Sequence, residues 1–346
     1  MRDVLASIHA WRQAGQAVAL ATVVETWGSA PRGVGAKMAM TAGGQIAGSV
    51  SGGCVEGAVY EAGSQVLAGG RPRLLHFGVA DEAAWEVGLA CGGTIEVFVE
   101  SPAAEVLDRL AALVAADAPY GLSTVIQGPE GLLGKQLLVG PAGGPSGQIG
   151  EGLDEAAAGL ARVALRAGRS RRVQLPEGGP GAPPIELFVE AGRPAPTLVM
   201  VGGVHIAIAL TAIARTLGYH TVVVDPRRAF ANAGRFPHAD AMISAWPQEA
   251  FGQIALNGET AVALLTHDPK IDDEALKIVL DSPAFYVGAL GSRRTHARRR
   301  ERLLAAGMPA EQLERIHGPI GLEIGAQSPE EIALAIMAQI VAARHQ

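Results

Sequence analysis

Both cysteines of this chain lie in glycine-rich stretches: Cys54 in "GSVSGGCVEG" and Cys91 in "GLACGGT". Two thiols in a long chain cannot build a disulfide framework, so they are either buried small apolar residues or thiols that are used in chemistry. Glycine loops bring backbone N–H groups close to a ligand and leave room around a thiol. The loop setting makes Cys54 and Cys91 candidate reactive residues, with simple burial as the alternative.

A second group of candidates lies in "LVMVGGVHIAIALTAIARTLGYHTVVVDPR", where a strand enters a glycine turn and a helix leaves it. Gly202, Gly203 and His205 would face a phosphate at the helix N-terminus. Asp225 ends the next strand about twenty residues on, where it would bind ribose hydroxyls. Val204 stands where the usual G-x-G-x-x-G pattern has its second glycine. The pattern therefore predicts a Rossmann-like fold and leaves open whether this turn binds a nucleotide.

A third candidate site is "LLTHDPKID", which places Thr266, His267 and Asp268 at the C-terminal end of a strand. Open α/β sheets present their ligand-binding groups at that end. A lone histidine is usually structural, but here it stands next to an aspartate at a strand tip. We therefore predict that these three residues contribute to a cofactor site.

A fourth candidate is "ALGSRRTHARRRERLL", in which a strand, a turn and a helix follow each other. Gly291 would form the turn, Ser292 would cap the helix, and Arg293 would lie in its first turn. An arginine there opposes the helix dipole unless an anion is bound, and a guanidinium binds phosphate in a bidentate way. We predict an anion site at Arg293 and a solvated face for the arginines at 298–302.

The elements that would position these residues form two domains, since 346 residues are too many for one ordinary core. The pattern predicts an N-terminal α/β domain over residues 1–192 and a C-terminal Rossmann-like domain over residues 193–346. In the second domain apolar strands alternate with helices, which indicates a parallel sheet covered on both faces. The predicted strands of that sheet are 197–202, 220–225, 241–245, 261–266 and 285–290. No internal repeat is visible in the sequence.

Composition excludes several classes of protein. A formal net charge of −6 argues against a general nucleic-acid binder. No apolar run reaches the length of a membrane span, and the N-terminus lacks the apolar core of a signal peptide, so we expect a cytoplasmic protein. No Ser-His-Asp, H-E-x-x-H or C-x-x-C arrangement supports a hydrolase or a zinc site.

Six stretches in the two halves of the chain together resemble one known family, the accessory factors of xanthine dehydrogenase and carbon monoxide dehydrogenase (XdhC/CoxI). The region at about 103–190 carries the least of this resemblance. The matching stretches are "VETWGSAPRGVGAKMAM", "GSVSGGCVEGAV", "WEVGLACGGTIEVFVE", "LLTHDPKID", "GALGSRR" and "IHGPIGLEIGAQSPEEIA".

The resemblance implies a chaperone that binds molybdenum cofactor, supports its sulfuration and delivers it to a molybdenum hydroxylase. A cysteine desulfurase would supply the sulfur, and the apo-hydroxylase would receive the cofactor. The family's cysteine motifs fall on Cys54 and Cys91, which the resemblance implies as catalytic residues. Cys54 would ligate the metal or carry a persulfide sulfur, with Gly52, Gly53 and Arg32 around it. Backbone N–H dipoles or Arg32 would then stabilise a thiolate.

Several alternatives stay open at this point. Family members usually carry a glycine at the position of Val204, and the valine weakens a cofactor role for that turn. The cofactor could be molybdopterin alone or a dinucleotide form, and a homodimer is one of the open assembly states. The competing function is an NAD(P)-dependent oxidoreductase built on the Rossmann-like half, which the position of Asp225 favours.

Overall fold

The computed structural model describes residues 1–78, 93–175 and 184–345. The chain separates into two compact units, Met1–Pro194 and Ala195–Gln346. Within the described residues, no helix is long and apolar enough to cross a membrane.

The first unit contains four helices and ten strands among its described residues, together with a 3-10 turn at Glu130–Leu132. In chain order these are α1 (Arg2–Gln13), β1 (Val18–Trp27), β2 (Lys37–Thr41), β3 (Ile46–Gly48), α2 (Glu56–Leu67), β4 (Arg73–Phe77), β5 (Thr94–Glu100), α3 (Ala104–Ala115), β6 (Tyr120–Gln127), β7 (Gln136–Val139), β8 (Ser146–Gly147), α4 (Asp154–Ala167), β9 (Arg171–Leu175) and β10 (Ile185–Gly192).

These elements form two antiparallel five-stranded sheets with the same topology. The strand order is β3-β2-β1-β5-β4 in one sheet and β8-β7-β6-β10-β9 in the other. Each sheet is built by the same succession of helix, three strands, helix and two strands. We call residues 2–100 the first module and residues 104–192 the second module. The expectation that the chain has no internal repeat is therefore wrong at the level of structure.

The registers of the two sheets match residue by residue. In the first module Thr22 pairs with Lys37 on one side and with Phe98 on the other. In the second module Thr124 pairs in the same way with Gln136 and with Phe188. Both central pairs also shift register at the same place, between Val23 and Glu25 and between Glu186 and Leu187. A shared register and a shared irregularity indicate two copies of one module rather than a chance likeness of strand order.

A glycine ends the third strand of each module, and it is one of the few residues that the two copies have in common. Gly48 and Gly147 end the third strand with positive φ angles of 75° and 81°. A Cβ at either position would collide with the carbonyl of the neighbouring strand, at Lys37 or Gln136. Backbone geometry therefore preserves glycine at both places, while the residues around them have diverged.

The two modules pack through a small apolar cluster and a buried polar centre. Phe98 of one sheet and Phe188 of the other belong to the same buried cluster. Each module adds a threonine, a longer polar side chain and a glutamate to the polar centre: Thr22, Lys37 and Glu100 from the first, Thr124, Gln136 and Glu190 from the second. The longer side chains bond across the modules, because Lys37 donates to Glu190 at 2.7 Å and Gln136 to Glu100 at 2.9 Å.

The second unit alternates strands and helices, as predicted, and adds a 3-10 turn at Phe251–Gln253. Its elements are β11 (Thr197–Val201), α5 (His205–Thr216), β12 (His220–Val224), β13 (Ala241–Ile243), α6 (Pro247–Ala250), β14 (Thr260–Leu264), α7 (Pro269–Val279), β15 (Tyr286–Ala289), α8 (Arg293–Ala305), α9 (Ala310–Leu313), β16 (Ile316–His317) and α10 (Pro329–Arg344). The five predicted strands are confirmed, while β16 was missed because two residues carry no periodic signal.

All six strands are parallel and follow the order β13-β12-β11-β14-β15-β16, which is the order of a Rossmann domain. The strands are apolar on both sides because helices cover both faces. Side chains of α5 and α10 pack in one core and those of α7 and α8 in the other. The predicted fold class, an N-terminal α/β domain followed by a Rossmann-like domain, is confirmed. The antiparallel, duplicated sheets of the first unit are the part that the sequence did not predict.

Candidate functional site

The loop that carries Cys54 wraps around one carboxylate, that of Glu56 at the first position of α2. Glu56 accepts six hydrogen bonds, from the hydroxyls of Ser49 and Ser51 and from the backbone N–H groups of residues 50–53. Burial works against the charge of Glu56, but the hydrogen bonds from Ser49 and Ser51 prevail and lower its pKa from 4.5 to about 2. The loop is therefore folded around a fixed negative charge.

Cys54 lies on the outside of this loop and is exposed to solvent. The alternative that this thiol is an inert core residue is therefore wrong. The N–H groups of Gly52 and Gly53 donate to the carboxylate of Glu56 on the inner side of the loop. Arg32 lies 3.4 Å from the carboxylate of Asp3 and is paired there. The loop therefore presents an exposed thiol to a ligand, with open space around Gly52 and Gly53.

The preceding glycine-rich segment reaches the thiol loop from the side. A Cβ built on Gly52 would lie 3.9 Å from the side chain of Pro31, next to Arg32, and one built on Gly53 would meet nothing within 4 Å. The segment that contains Arg32 thus approaches the thiol loop through Pro31. The second candidate thiol, Cys91, lies outside the described residues.

In the second unit the predicted residues gather along the C-terminal edge of the parallel sheet. Gly202 and Gly203 follow β11 and are buried. A Cβ on Gly202 would come within 2.7 Å of the Thr266 methyl group, and one on Gly203 would collide with the carbonyl of Phe230. Both glycines are therefore required for close backbone packing. His205 is the first residue of α5 and is exposed, and no side chain caps this helix.

Asp225 occupies the ribose position of a Rossmann site, but its carboxylate is already saturated. One oxygen accepts from the backbone and Nε of Arg227, and the other from Gly203 N–H and Arg227 Nη2, all at 2.8–2.9 Å. Burial alone would raise its pKa, yet the bonds from Arg227 and Gly203 hold the pKa below its ordinary value. Arg227 in turn lies 4.1 Å over the ring of Phe230. Asp225 is fully buried and its carboxylate already accepts four hydrogen bonds from the protein, so a ribose diol would have to compete with Arg227 and Gly203 for it.

Thr266 belongs to a buried network that joins the tips of β14 and β15. Its hydroxyl donates to Asp272 at 2.5 Å, and Arg299 donates to Asp272 at 3.3 Å and to the carbonyl of Leu290 at 2.9 Å. Arg299 is only 2% exposed, so the prediction of a solvated arginine face is wrong at this position. Burial raises the pKa of Asp272 above its ordinary value, with Thr266 and Arg299 acting against it.

The two residues after Thr266 have different roles. His267 is exposed and has a positive φ of 67°, which is rare outside glycine. Asp268 caps α7, since its side chain accepts the N–H of Lys270 at 3.0 Å. The strained histidine thus lies between a partly buried threonine and a helix cap, in the position where a ligand would meet the strand tips.

The third strand tip has the predicted turn and cap. Gly291 has a φ of 138°, and the Ser292 hydroxyl accepts the N–H of Thr295 at 3.2 Å, so the predicted cap is confirmed. Arg293 begins α8 and is exposed. Its helix has no acidic residue in the first turn, so no side chain there balances the arginine charge.

The structure thus forms two groups from the candidates. Cys54, Gly52, Gly53 and Arg32 lie together in the first unit. The others share the sheet edge of the second unit: Gly202, Gly203, His205, Asp225, Thr266, His267, Asp268, Gly291, Ser292 and Arg293. Among the residues that the structure describes, no cluster of three or more His, Cys, Asp or Glu side chains could hold a metal ion.

Three residues of these sites were missed by the reading of the sequence. Glu56 was visible as an acidic residue at a helix start, a position that carboxylates favour. Arg227 follows the expected ribose-binding aspartate by two positions. Arg299 gave no signal of its own, because five arginines between residues 293 and 300 look alike in the sequence and only packing separates them.

The fold and the site define a two-unit protein with an exposed thiol loop and a Rossmann-type sheet edge. Two family models match it, "XdhC and CoxI family" over residues 11–78 and "XdhC Rossmann domain" over residues 198–340. The chain belongs to the XdhC and CoxI family.

Relatives extend this match over nearly the whole chain. A Bacillus subtilis (strain 168) protein, named as a probable xanthine dehydrogenase subunit, is 27% identical over 327 residues, which cover 94% of this chain and 92% of the relative. The molybdenum cofactor insertion chaperone PaoD of Escherichia coli (strain K12) is 27% identical over 339 residues, covering 96% and 85%. The crystal structure of a xanthine dehydrogenase from Bacillus halodurans shares the fold with a TM-score of 0.75 at 24% identity, covering 99% of this chain and 95% of that one.

Proposed function

We propose that this protein binds molybdenum cofactor, supports its sulfuration and delivers it to a molybdenum hydroxylase of the xanthine or carbon monoxide dehydrogenase type. It acts as a maturation chaperone in the cytoplasm rather than as an enzyme with a free metabolite as substrate. The observation that carries the proposal is the exposed Cys54 thiol on a loop that is fixed by Glu56. Membership of the XdhC and CoxI family and the name of PaoD support it.

The residues present fit such a cargo. Molybdenum in this cofactor is held by soft sulfur ligands, and a cysteine thiolate is the softest side-chain ligand in proteins. Cys54 has no Cβ obstruction at the neighbouring Gly53, so a bulky metal group has room beside the thiol. We assign Cys54 to the metal end of the cofactor, either as ligand or as sulfur carrier. Cys91 takes a supporting part in the same chemistry.

We also propose a phosphate-binding site within the second unit, considered by itself. Arg293 is exposed at the start of α8, beside the Ser292 cap, and its charge is unbalanced within the first turn. An anion there removes the conflict between arginine and helix dipole. Gly202, Gly203 and the uncapped start of α5 at His205 provide a second place for a phosphate along the same edge.

The Rossmann strand order favours the NAD(P)-dependent alternative. The carboxylate of Asp225, which would bind the adenine ribose, already accepts hydrogen bonds from Arg227 and Gly203, which weighs against this alternative. We therefore retain the alternative only as an outcome of the experiment. The proposed partners are an apo-hydroxylase and a cysteine desulfurase, with self-association as a further arrangement to be measured.

One experiment separates the two functions. The purified protein is oxidised and examined for pterin fluorescence, and thermal shifts are recorded with and without NAD(P)H. Bound pterin without protection by NAD(P)H is the expected result. Protection by NAD(P)H without pterin would replace the chaperone by the oxidoreductase.

A further inference from the structure

The thiol loop can be compared with its structural counterpart in the same chain. In the first module it joins β3 to α2, and in the second module the equivalent loop joins β8 to α4. Both helices begin with an acidic residue, Glu56 or Asp154. Asp154 accepts the N–H groups of Ile149 and Gly150 at 2.7 and 3.0 Å. In both modules, therefore, a carboxylate at the start of the helix accepts backbone N–H groups of the loop that precedes it.

Glu56 does more than its counterpart. It also holds the N–H groups of Gly52 and Gly53, the two residues directly before Cys54. Their φ angles are 80° and 123°, so the chain there follows a path that only glycine takes readily. The second module has no cysteine in the equivalent loop, residues 148–153. The additional hydrogen bonds of Glu56 thus fall on the segment that carries the thiol.

The connections at one end of the first module's sheet differ in length from those of the second module. Three of its connections are longer than their counterparts: 49–55 against 148–153, 28–36 against 128–135, and 78–93 against 176–184. All three start or finish at the same end, where Trp27 pairs with Thr94 and Met38 with Gly48. The thiol of Cys54 lies in one of them and Cys91 in another. The clearest difference between the modules among the described residues is therefore the set of bonds that Glu56 makes to Gly52 and Gly53.

We propose that Glu56 is the positioning residue of the Cys54 loop. Its carboxylate fixes the backbone of residues 50–53 from inside and thereby holds the thiol on the outer surface, without touching the group that reacts. The structural part of this proposal stands alone, and its consequence for cofactor handling rests on the proposed function.

The test is amide hydrogen exchange on the full chain, with Asp154→Ala as the matched control. Glu56→Ala removes all six hydrogen bonds, so we expect exchange at residues 50–53 to rise at least about tenfold. Glu56→Gln keeps the one acceptor oxygen that residues 50–52 share, and we expect their exchange within about threefold of the original, while Gly53 loses its acceptor. Asp154→Ala should accelerate Ile149 and Gly150 and leave residues 50–53 unchanged. Unchanged protection in Glu56→Ala, or equal loss of it in Asp154→Ala, would overturn the proposal.

A second readout separates positioning from direct chemistry. Each variant is co-expressed with a client hydroxylase, and the client's activity is measured beside the thermal unfolding of the variant. We expect Glu56→Ala to lose at least about tenfold of the activation and Glu56→Gln to restore most of it, because the amide oxygen still binds the loop. Equal failure of both variants, with exchange at residues 50–52 of Glu56→Gln near the original, would mean that the negative charge itself is required, and positioning would be wrong. If Cys54→Ser activates the client fully, the proposed function fails while the exchange result still decides the role of Glu56.

Discussion

At the scale of single residues, the site depends on which partners each candidate has. Cys54 is exposed and has Glu56 behind its loop, while Arg32 is paired with Asp3. Asp225 looks like a ribose ligand in the sequence and is a structural acceptor in the fold. Whether a candidate side chain can bind a ligand therefore depends on the hydrogen bonds and ion pairs that it already makes within the protein.

The first prediction concerns the thiol. Cys54→Ser should keep the fold, because an exposed loop thiol contributes little packing, and should keep most of the pterin. Activation of the client hydroxylase should fail, since a serine hydroxyl is neither soft nor ionised near neutral pH. Client activity and cyanide-releasable sulfur after co-expression measure this. Cys91→Ser should show a smaller defect of the same kind, and full activation by Cys54→Ser would return Cys54 to a structural role.

The second prediction contrasts Asp225 with Arg293. Asp225→Ala leaves the N–H of Gly203 and the guanidinium of Arg227 without their acceptor, so it should lower the free energy of unfolding by about 2–3 kcal/mol. Arg293 is exposed, so Arg293→Ala should lower the free energy of unfolding by less than about 0.5 kcal/mol. The same variant should no longer retain molybdenum cofactor. Urea unfolding and the molybdenum content of the purified variants test both effects. Loss of cofactor only in Asp225→Ala, at unchanged stability, would show that the phosphate site is misplaced.

At the scale of elements, close backbone approach explains positions that hydrophobic periodicity does not. Strand β6 crosses α4 so closely that a Cβ on Gly121 would collide with the carbonyl of Ala161. The turn after β11 is similarly close to the β14 tip, where Gly202 faces Thr266. Glycines in these elements are determined by the neighbouring element rather than by their own strand or turn.

The third prediction tests this packing with two alanine substitutions in contacting elements. Gly121→Ala in β6 should destabilise the protein by at least about 2 kcal/mol, because the backbone of α4 must move. Gly159→Ala in α4 meets nothing within 4 Å and should stabilise it by about 0.5–1 kcal/mol through helix propensity. Urea denaturation of both variants measures the difference. A neutral Gly121→Ala would contradict the close approach of β6 and α4.

At the scale of the whole molecule, the duplicated unit has an unequal polar centre between its modules. Lys37 and Glu190 form a buried ion pair, while Gln136 meets Glu100 in the equivalent place. Burial raises the pKa of Glu100 from 4.5 to about 8, with Lys37 acting against the shift and Glu190 adding to it. Glu100 Oε2 has no hydrogen-bond partner among the described residues. The folded unit therefore holds a protonated carboxyl at neutral pH.

The fourth prediction is the pH dependence that follows. Between about pH 4.5 and pH 8 the folded state keeps the Glu100 proton and the unfolded state releases it, so stability falls as the pH rises through this window. The loss amounts to a few kcal/mol at most, since one pKa unit corresponds to about 1.4 kcal/mol. Glu100→Gln should remove this part of the dependence, and the exposed Glu105→Gln serves as control. Identical pH profiles of unfolding for the original chain and Glu100→Gln would contradict the assignment.

The sequence by itself determined most strands of the second unit and the residue types that are available for chemistry. Alternating apolar runs and glycine turns gave five of the six parallel strands, and residue type marked Cys54, Ser292 and Arg293, because periodicity and caps are local properties. The tertiary structure alone decided the duplication, the spent carboxylate of Asp225, the burial of Arg299 and the convergence of a loop on Glu56. The first three depend on contacts between distant segments or on burial, and the fourth on the backbone path of residues 49–53, which residue order does not state. The two modules share register and backbone turns, and those can persist after side chains diverge, so only the fold makes the repeat visible.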